Sequence, residues 1–123
     1  MTKPGTATKI DEDLYLADGN GEADSPDYWL NHSCDPNAWL NDEIRLVARR
    51  EIERGEEVMA DYALWETDSL WEIAPCRCGQ KLCRGKVRGN DWQLKELQVR
   101  YRGHFTRYLN EQIRRWDEEA KGN

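Results

Sequence analysis

An α+β fold, rich in β-strands in its first two thirds and helical at its C-terminus, is predicted by three patterns in the sequence. Short apolar runs with alternating or β-branched residues, bounded by turn-forming residues, are typical of strands. From residue 91 onward, apolar and aromatic residues recur every three or four positions, as in helices. Four cysteines lie in polar stretches between these elements. At 123 residues, 38% of them hydrophobic, the chain predicts one domain with a modest core.

The predicted strands lie between turn-rich segments. Residues 1–9 contain proline, glycine and small polar residues, and we expect them to be disordered. Leu14 and Leu16 alternate around a tyrosine, which predicts a short strand and one arm of a hairpin. Residues 18–27 predict a loop, and we interpret the Gly-x-Gly inside it as a plain turn.

Two further strands are predicted in the middle of the chain. The segment 44–48 carries β-branched and apolar residues, and 58–62 ends on a tyrosine. Gly55 is expected to turn the charged connection between them. Residues 66–73 are compatible with a helical turn or with an ordered loop.

The C-terminal stretch, residues 91–123, predicts two helices or one kinked helix. Asp91 is a candidate N-cap, and Gly103 interrupts the periodic pattern. The apolar face of this stretch is expected to pack as core rather than to form a binding groove. That face consists of Trp92, Leu94, Leu97, Tyr101, Phe105, Tyr108, Leu109, Ile113 and Trp116.

A polar heptad, residues 31–37 (Asn-His-Ser-Cys-Asp-Pro-Asn), separates two apolar segments. Pro36 has a fixed φ, and the Asp35 carboxylate can accept from nearby backbone N–H groups, so the heptad favours a tight turn. A turn held between two apolar segments can present backbone and side-chain groups to a ligand.

The four cysteines predict a zinc site. Cys76, Cys78 and Cys83 supply three thiols from one short loop with little apolar content. Tetrahedral zinc takes four ligands at about 2.3 Å, and Cys34, in the heptad, is the remaining cysteine. Two disulfides or free thiols are the alternatives, and the lack of a secretory signal argues against disulfides. His32 could replace a thiol as a ligand, although four cysteines already complete the set.

Composition restricts the possible partners. No apolar run approaches the roughly 20 residues of a membrane span, and no signal sequence opens the chain, so we expect a cytoplasmic, intracellular protein. The net charge of −6 argues against binding to a phosphate backbone, so we expect no direct nucleic-acid partner, and the lack of a long apolar run predicts no membrane partner. It suits a partner that presents basic residues.

Three motifs in one order together resemble a known family. The heptad 31–37, the stretch 55–62 (Gly-Glu-Glu-Val-Met-Ala-Asp-Tyr) and the cysteine segment 76–85 resemble the C-terminal half of a SET domain with its post-SET zinc cluster. The resemblance spans roughly residues 10–89. It implies a β-rich SET-like (β-clip) core over 10–74, a post-SET segment over 75–90, and a C-terminal helical extension over 91–123 like that of short bacterial-type SET proteins.

The family resemblance also implies a function and a set of site residues. SET proteins transfer a methyl group from S-adenosylmethionine to a protein lysine. Matching the motifs residue by residue, Asn31 and His32 correspond to cofactor-binding positions, His32 through its backbone. Tyr62 corresponds to the catalytic tyrosine whose hydroxyl lies at the methyl-transfer point. The neighbouring Asp61 is expected to be structural. A nucleophilic Cys34–His32 pair is disfavoured, because a zinc-bound thiolate is not free to attack.

One departure from the family pattern bears on activity. A complete SET domain has a further strand-rich half, with a cofactor-binding Gly-x-Gly, before the Asn-His motif. Residues 1–27 are too short to supply it. We therefore expect either a portion of a larger enzyme, or a fold that a dimer partner or second chain completes. The alternative function is a catalytically inactive zinc-binding SET-like interaction module.

Overall fold

The structure, a computed structural model, describes residues 8–11, 14–16, 30–41 and 45–121. Within those residues it contains eight short strands, two 3-10 helices and two α-helices. The strands are β1 Thr8–Asp11, β2 Leu14–Leu16, β3 Asn31–His32, β4 Ala38–Leu40, β5 Leu46–Ala48, β6 Met59–Ala60, β7 Glu72–Ile73 and β8 Val87–Arg88. The helices are the 3-10 helices Tyr62–Leu64 and Asp91–Gln93 and the α-helices α1 Lys95–Arg100 and α2 Arg107–Lys121. The predicted mixture of short strands and C-terminal helices is confirmed.

The strands form four two-stranded sheets among the described residues. Three are antiparallel: β1 with β2, β4 with β5, and β7 with β8. The first of these confirms the predicted hairpin arm at Leu14–Leu16. The fourth pair, β3 with β6, is parallel, and it aligns Asn31 with Met59 and His32 with Ala60. This parallel pair brings the heptad next to the segment that precedes Tyr62.

The predicted strand 58–62 is too long at both ends. Strand β6 covers Met59 and Ala60 only, and the chain then bends into the 3-10 helix Tyr62–Leu64. Asp61 causes the change, because its carboxylate accepts from the Ala63 N–H at 3.0 Å, as an N-cap does. Tyr62 therefore begins a helical turn instead of ending a strand.

Other predicted boundaries differ by a few residues or lie outside the described part of the chain. Of the strand predicted at 44–48, β5 contains Leu46–Ala48, and residue 44 lies outside the described residues. The prediction that residues 1–9 are disordered is wrong for Thr8 and Lys9, which belong to β1. Residues 1–7 and the predicted loop 18–27 lie outside the described residues. Residues 66–71 form a loop that leads into β7, and Gly55 turns the chain with φ +84°.

The C-terminal stretch forms two α-helices and not one kinked helix. They separate around Gly103, whose φ of +79° is the left-handed region that glycine tolerates. Asp91 as N-cap of the first helix is wrong: α1 begins at Lys95 after Leu94, and the Asp91 carboxylate binds arginines instead. At the start of α2, the Thr106 hydroxyl accepts from the Leu109 N–H at 3.3 Å.

The core joins the helix that begins at Tyr62 to the two C-terminal helices. Its buried members are Leu40, Ala63, Leu64, Leu97, Tyr101, Phe105 and Leu109. Most of the predicted apolar face packs here, whereas Leu94 and Trp116 stay 42% and 41% exposed. The Thr106 N–H also donates to the Leu64 carbonyl at 2.9 Å, which ties α2 to the Tyr62 helix. No helix in the described ranges is long and apolar enough to cross a membrane.

Candidate metal centre and adjoining tyrosine

Four cysteine sulfurs converge at one point of the structure. The Sγ atoms of Cys34, Cys76, Cys78 and Cys83 all lie within 4.8 Å of one another. Cys34 is fully buried, and the other three are half-buried. We refer to these four residues as the cysteine cluster. The predicted proximity of Cys34 to the three later cysteines is therefore present, although they are separated by 42 residues or more along the chain.

The three later cysteines belong to a closed loop, residues 76–85, that we call the cysteine loop. The antiparallel pair β7–β8 brings the two ends of this loop together, and the Cys76 N–H donates to the Gly85 carbonyl at 2.7 Å. Gly79 has φ +77° where the backbone curls between Cys78 and Cys83. The loop thus brings its three thiols together although it contains few apolar residues.

The donor set fits zinc. At a Zn–S distance of about 2.3 Å, tetrahedral geometry separates the sulfurs by about 3.8 Å. The Sγ atoms of Cys34 and Cys76 are 3.8 Å apart, and all four cysteines are free thiols without a disulfide. Four thiol sulfurs without a carboxylate are the ligands of structural zinc sites. The four residues therefore suit a closed, structural zinc centre.

The thiols differ in how readily they ionise. Burial raises the pKa of Cys34 above its usual range, and burial likewise raises the pKa of Cys76. Burial also disfavours the Cys78 thiolate, but hydrogen bonds from the backbone of Cys34 and Gln80 outweigh it and lower the pKa of Cys78 to about 7. A cation is the partner that would allow all four sulfurs to be thiolates in so small a volume.

The His32 side chain lies between the cysteine cluster and Tyr62, and it is only 4% exposed. The Tyr62 backbone N–H donates to His32 Nδ1 at 3.1 Å. Because Nδ1 accepts, the proton of the neutral imidazole is on Nε2, which lies 3.3 Å from the Cys34 Sγ. Burial lowers the pKa of His32 to about 4, although the Asp61 carboxylate acts in the opposite direction. The imidazole is thus neutral near pH 7 and donates towards Cys34.

Tyr62 is buried, with 4% of the residue exposed, and its hydroxyl donates to the Leu30 carbonyl. Its ring contacts those of His32, Trp65 and Trp71, with centroids 5.3, 5.3 and 5.8 Å away. Burial raises the pKa of Tyr62 to about 12, so the phenol keeps its proton at neutral pH. The structure therefore places a protonated phenol beside His32, inside a cluster of aromatic rings.

Asn31 precedes His32 on β3 and is exposed. Its Nδ2 donates to the Glu57 carboxylate at 2.6 Å. The heptad that contains it is held by Asn37, whose side chain is 2% exposed, accepts from the Met59 N–H at 2.9 Å and donates to the Glu57 carbonyl at 2.8 Å. The sequence motif reveals Asn37 only as a turn residue, whereas the structure shows that it ties the heptad to β6.

Two charged residues of this region have partners that the sequence motifs do not reveal. Asp61 is fully buried, and the Arg84 guanidinium binds both of its carboxylate oxygens at 2.7 and 3.0 Å. Burial would raise the pKa of Asp61, but this pairing outweighs it and keeps the pKa below its usual value. Tyr101 of the C-terminal segment also donates to Asp61, at 2.9 Å. In the sequence, the one signal for these ion pairs is that a basic residue, Arg84, directly follows Cys83.

The comparisons with known proteins match the part of the chain that contains the first two of the three motifs. The SET domain family matches residues 6–63. Over 79 residues the chain is 40% identical to the histone-lysine N-methyltransferase ash1 of Drosophila melanogaster, which covers 56% of this chain and 3% of that protein. It is 34% identical over 77 residues to the histone-lysine N-methyltransferase ATX2 of Arabidopsis thaliana, with 57% and 7% covered. It is 37% identical over 62 residues to an H3 lysine-36 specific histone-lysine N-methyltransferase of Candida albicans, with 45% and 7% covered.

The chain thus spans less than a tenth of the length of each of these relatives. No solved structure matches the chain. The matched segment contains the heptad, β3, β6 and Tyr62. Over this segment the chain matches the SET domain family, and it is similar there to proteins named as histone-lysine N-methyltransferases.

Proposed function

We propose that this chain is the C-terminal part of a SET-type protein-lysine N-methyltransferase that uses S-adenosylmethionine, with a β-clip core and a post-SET zinc site. One observation carries the proposal: Cys34, within the heptad, lies in one cluster with the cysteine loop, while β3 pairs with β6 and puts His32 against Tyr62. Three motifs that are distant in sequence thereby form one continuous site.

The residues have distinct roles in the proposed reaction. S-adenosylmethionine, when bound, supplies a methyl group activated on a sulfonium sulfur. Asn31 and the His32 backbone are the proposed cofactor contacts, and both lie on β3. The Tyr62 hydroxyl, protonated at neutral pH, is proposed to orient the two reacting groups. The chain would need no acid–base dyad of its own, because a neutral lysine amine would take the methyl group as the S–CH3 bond breaks, leaving a neutral thioether.

The metal would have a structural role. Cys34, Cys76, Cys78 and Cys83 would hold zinc, which would crosslink the heptad to the cysteine loop. The cysteine loop has few apolar residues, so metal binding would contribute to the free energy of folding there. None of the four sulfurs would then be available as a nucleophile.

The proposed substrate is a lysine in a basic protein segment. The relatives that match the chain are named as histone-lysine methyltransferases, and histone tails are rich in lysine and arginine. The net charge of −6 on this chain favours association with such a segment. Dimerisation, or a second chain that completes the fold, remains part of the proposal.

A methyl-transfer assay tests the activity. The zinc-loaded chain is incubated with methyl-labelled S-adenosylmethionine and a lysine-rich histone tail, and label in the peptide is counted. We expect Tyr62→Phe to reduce the rate by about 100-fold or more while the fold is retained, because the orienting hydroxyl is lost. Tyr108→Phe on α2 is the matched control and should retain the wild-type rate. Equal rates for Tyr62→Phe and wild type would refute the role of Tyr62.

Calorimetric titration with S-adenosylmethionine separates the proposed enzyme from the inactive module. Binding heat with the folded, zinc-loaded chain supports the methyltransferase. Absence of heat at millimolar cofactor, with zinc bound and the fold intact, would favour the catalytically inactive zinc-binding interaction module.

A further inference from the structure

Arg84 connects the cysteine loop to two other parts of the molecule. It directly follows Cys83, yet its side chain is only 10% exposed. Its backbone N–H donates to the Cys34 Sγ at 3.4 Å. Its guanidinium binds both carboxylate oxygens of Asp61, and its Nε donates to the Asp91 carboxylate at 3.0 Å. One residue therefore contacts the cysteine cluster through its backbone and two buried carboxylates through its side chain.

Asp61 connects Arg84 to the segment that begins at Tyr62, because its carboxylate binds both. One of its oxygens accepts from the Ala63 N–H at 3.0 Å and so caps the 3-10 helix Tyr62–Leu64. The other accepts from the Tyr101 hydroxyl at 2.9 Å. Asp61 is fully buried, and a buried carboxylate that loses its counter-charge destabilises the structure strongly. Arg84 thus supplies the counter-charge of the carboxylate that caps the Tyr62 helix.

We propose that Arg84 is a positioning residue that couples metal binding at the cysteine cluster to the backbone conformation of Tyr62. The inference rests on the proposed function for the metal and for the importance of Tyr62. The cysteine loop contains few apolar residues of its own, so metal binding would supply a large part of its constraint. Without metal, Arg84 no longer holds Asp61, and the cap on the Tyr62 helix weakens.

Such coupling is reciprocal by thermodynamic necessity. If metal binding stabilises the Arg84–Asp61 pair, then weakening the pair must weaken metal binding by the same factor. Asp61 is not one of the proposed metal ligands, which are all cysteines. A change at Asp61 that lowers zinc affinity would therefore report coupling and not the loss of a ligand.

The first experiment measures zinc affinity by competition with a chromophoric chelator, for the 123-residue chain and its variants. Arg84→Lys keeps the charge but loses the two-point contact with the carboxylate, and Asp61→Asn keeps the size but loses the charge. We expect each to bind zinc about 5- to 150-fold more weakly. Arg114→Lys and Asp117→Asn on α2, whose ion pairs are exposed, are the matched controls and should match wild type.

The main comparison of the second experiment requires no substitution, and the Arg84→Lys variant then serves as a check. Hydrogen exchange of the wild-type chain is compared with and without zinc, at the amides of Ala63 and Leu64, which bond to the Asp61 side chain and carbonyl. We expect both amides to lose protection when zinc is removed, whereas the Asn110 amide in α2 keeps it. In the zinc-free chain, Arg84→Lys should then change the protection of Ala63 far less than in the zinc-loaded chain.

The outcomes separate this inference from the proposed function. Wild type that binds no zinc would overturn both the metal centre and the coupling. Wild type that binds zinc while both variants bind it equally well would overturn the coupling alone. Unchanged protection of Ala63 and Leu64 after zinc removal would also overturn the coupling and leave the metal centre intact.

Discussion

The Tyr62 backbone N–H, two residues after strand β6, donates a hydrogen bond to Nδ1 of His32 on the parallel strand β3, 3.1 Å away. This bond fixes the imidazole proton on Nε2, which is directed at Cys34. The side chain of His32 therefore bridges the proposed catalytic tyrosine and a proposed zinc ligand. An outer hydrogen bond of this kind commonly orients a metal ligand and tunes its charge.

Substitution of His32 should destabilise the chain through this bridge. His32→Ala leaves the buried Tyr62 N–H without its acceptor, and we expect a loss of about 1–3 kcal/mol in the free energy of unfolding. His32→Asn offers an oxygen near the former Nδ1 and should lose less. Urea denaturation of the zinc-loaded variants measures both. Equal stability of His32→Ala and wild type would show that the bond contributes nothing.

Metal analysis of protein purified without chelator should find one zinc per chain. Cys34→Ser removes one of the four sulfurs and replaces it with a poorer zinc ligand, so we expect zinc affinity to fall by more than about 100-fold, the upper range for loss of an outer partner. Chelator treatment of wild type should lower the melting temperature, because the removed metal no longer contributes to the free energy of folding. Protein that contains no zinc before any treatment would contradict the site.

Gly89 should not tolerate a side chain. A Cβ atom there would lie 1.7 Å from the Asp68 carbonyl oxygen, which is backbone and cannot move aside without moving the loop before β7. We expect Gly89→Ala to cost about 1–3 kcal/mol or more, as overpacking does. The adjacent Asn90→Ala is the control, because the Asn90 side chain makes no capping bond. Thermal unfolding compares the two, and equal melting temperatures would disprove the steric argument.

The C-terminal helices should support the site and not merely extend the chain. Leu97 on α1 is fully buried in the core cluster that also contains Ala63 and Leu64, whereas the nearby Leu94 is 42% exposed. We expect Leu97→Ala to lose about 2–5 kcal/mol and Leu94→Ala to lose much less. Chemical denaturation measures the difference. If both variants unfold alike, the helices form a separate unit from the core around Tyr62.

Several features of the fold follow from local sequence patterns. The alternation at Leu14–Leu16, the turn at Gly55 and the two helical segments around Gly103 all depend on residues close together in the chain, so they were predictable. The cysteine spacing likewise predicted three thiols in one loop. Strand 58–62 was predicted too long, because its apolar run does not show that Asp61 will cap a helical turn.

Asp91 shows why the remaining features were not predictable. A local pattern makes it an N-cap, but in the folded chain its carboxylate accepts from Arg84 and from the Arg88 N–H instead. Charge pairing between distant segments outweighs local capping when both partners are buried, since an unpaired buried charge is costly. The same reason explains why the Arg84–Asp61 pair had no signature in the motifs.

The sequence by itself determined the resemblance to the SET domain family, the number and spacing of the cysteines and the order of the main elements, because each depends on residue identity and short spacing. Only the tertiary structure decided that the His32 imidazole faces Cys34, and that Arg84 reaches Asp61 behind Tyr62. Those contacts join residues 2 and 23 positions apart through buried geometry, and burial is a property of the packed chain rather than of any segment alone.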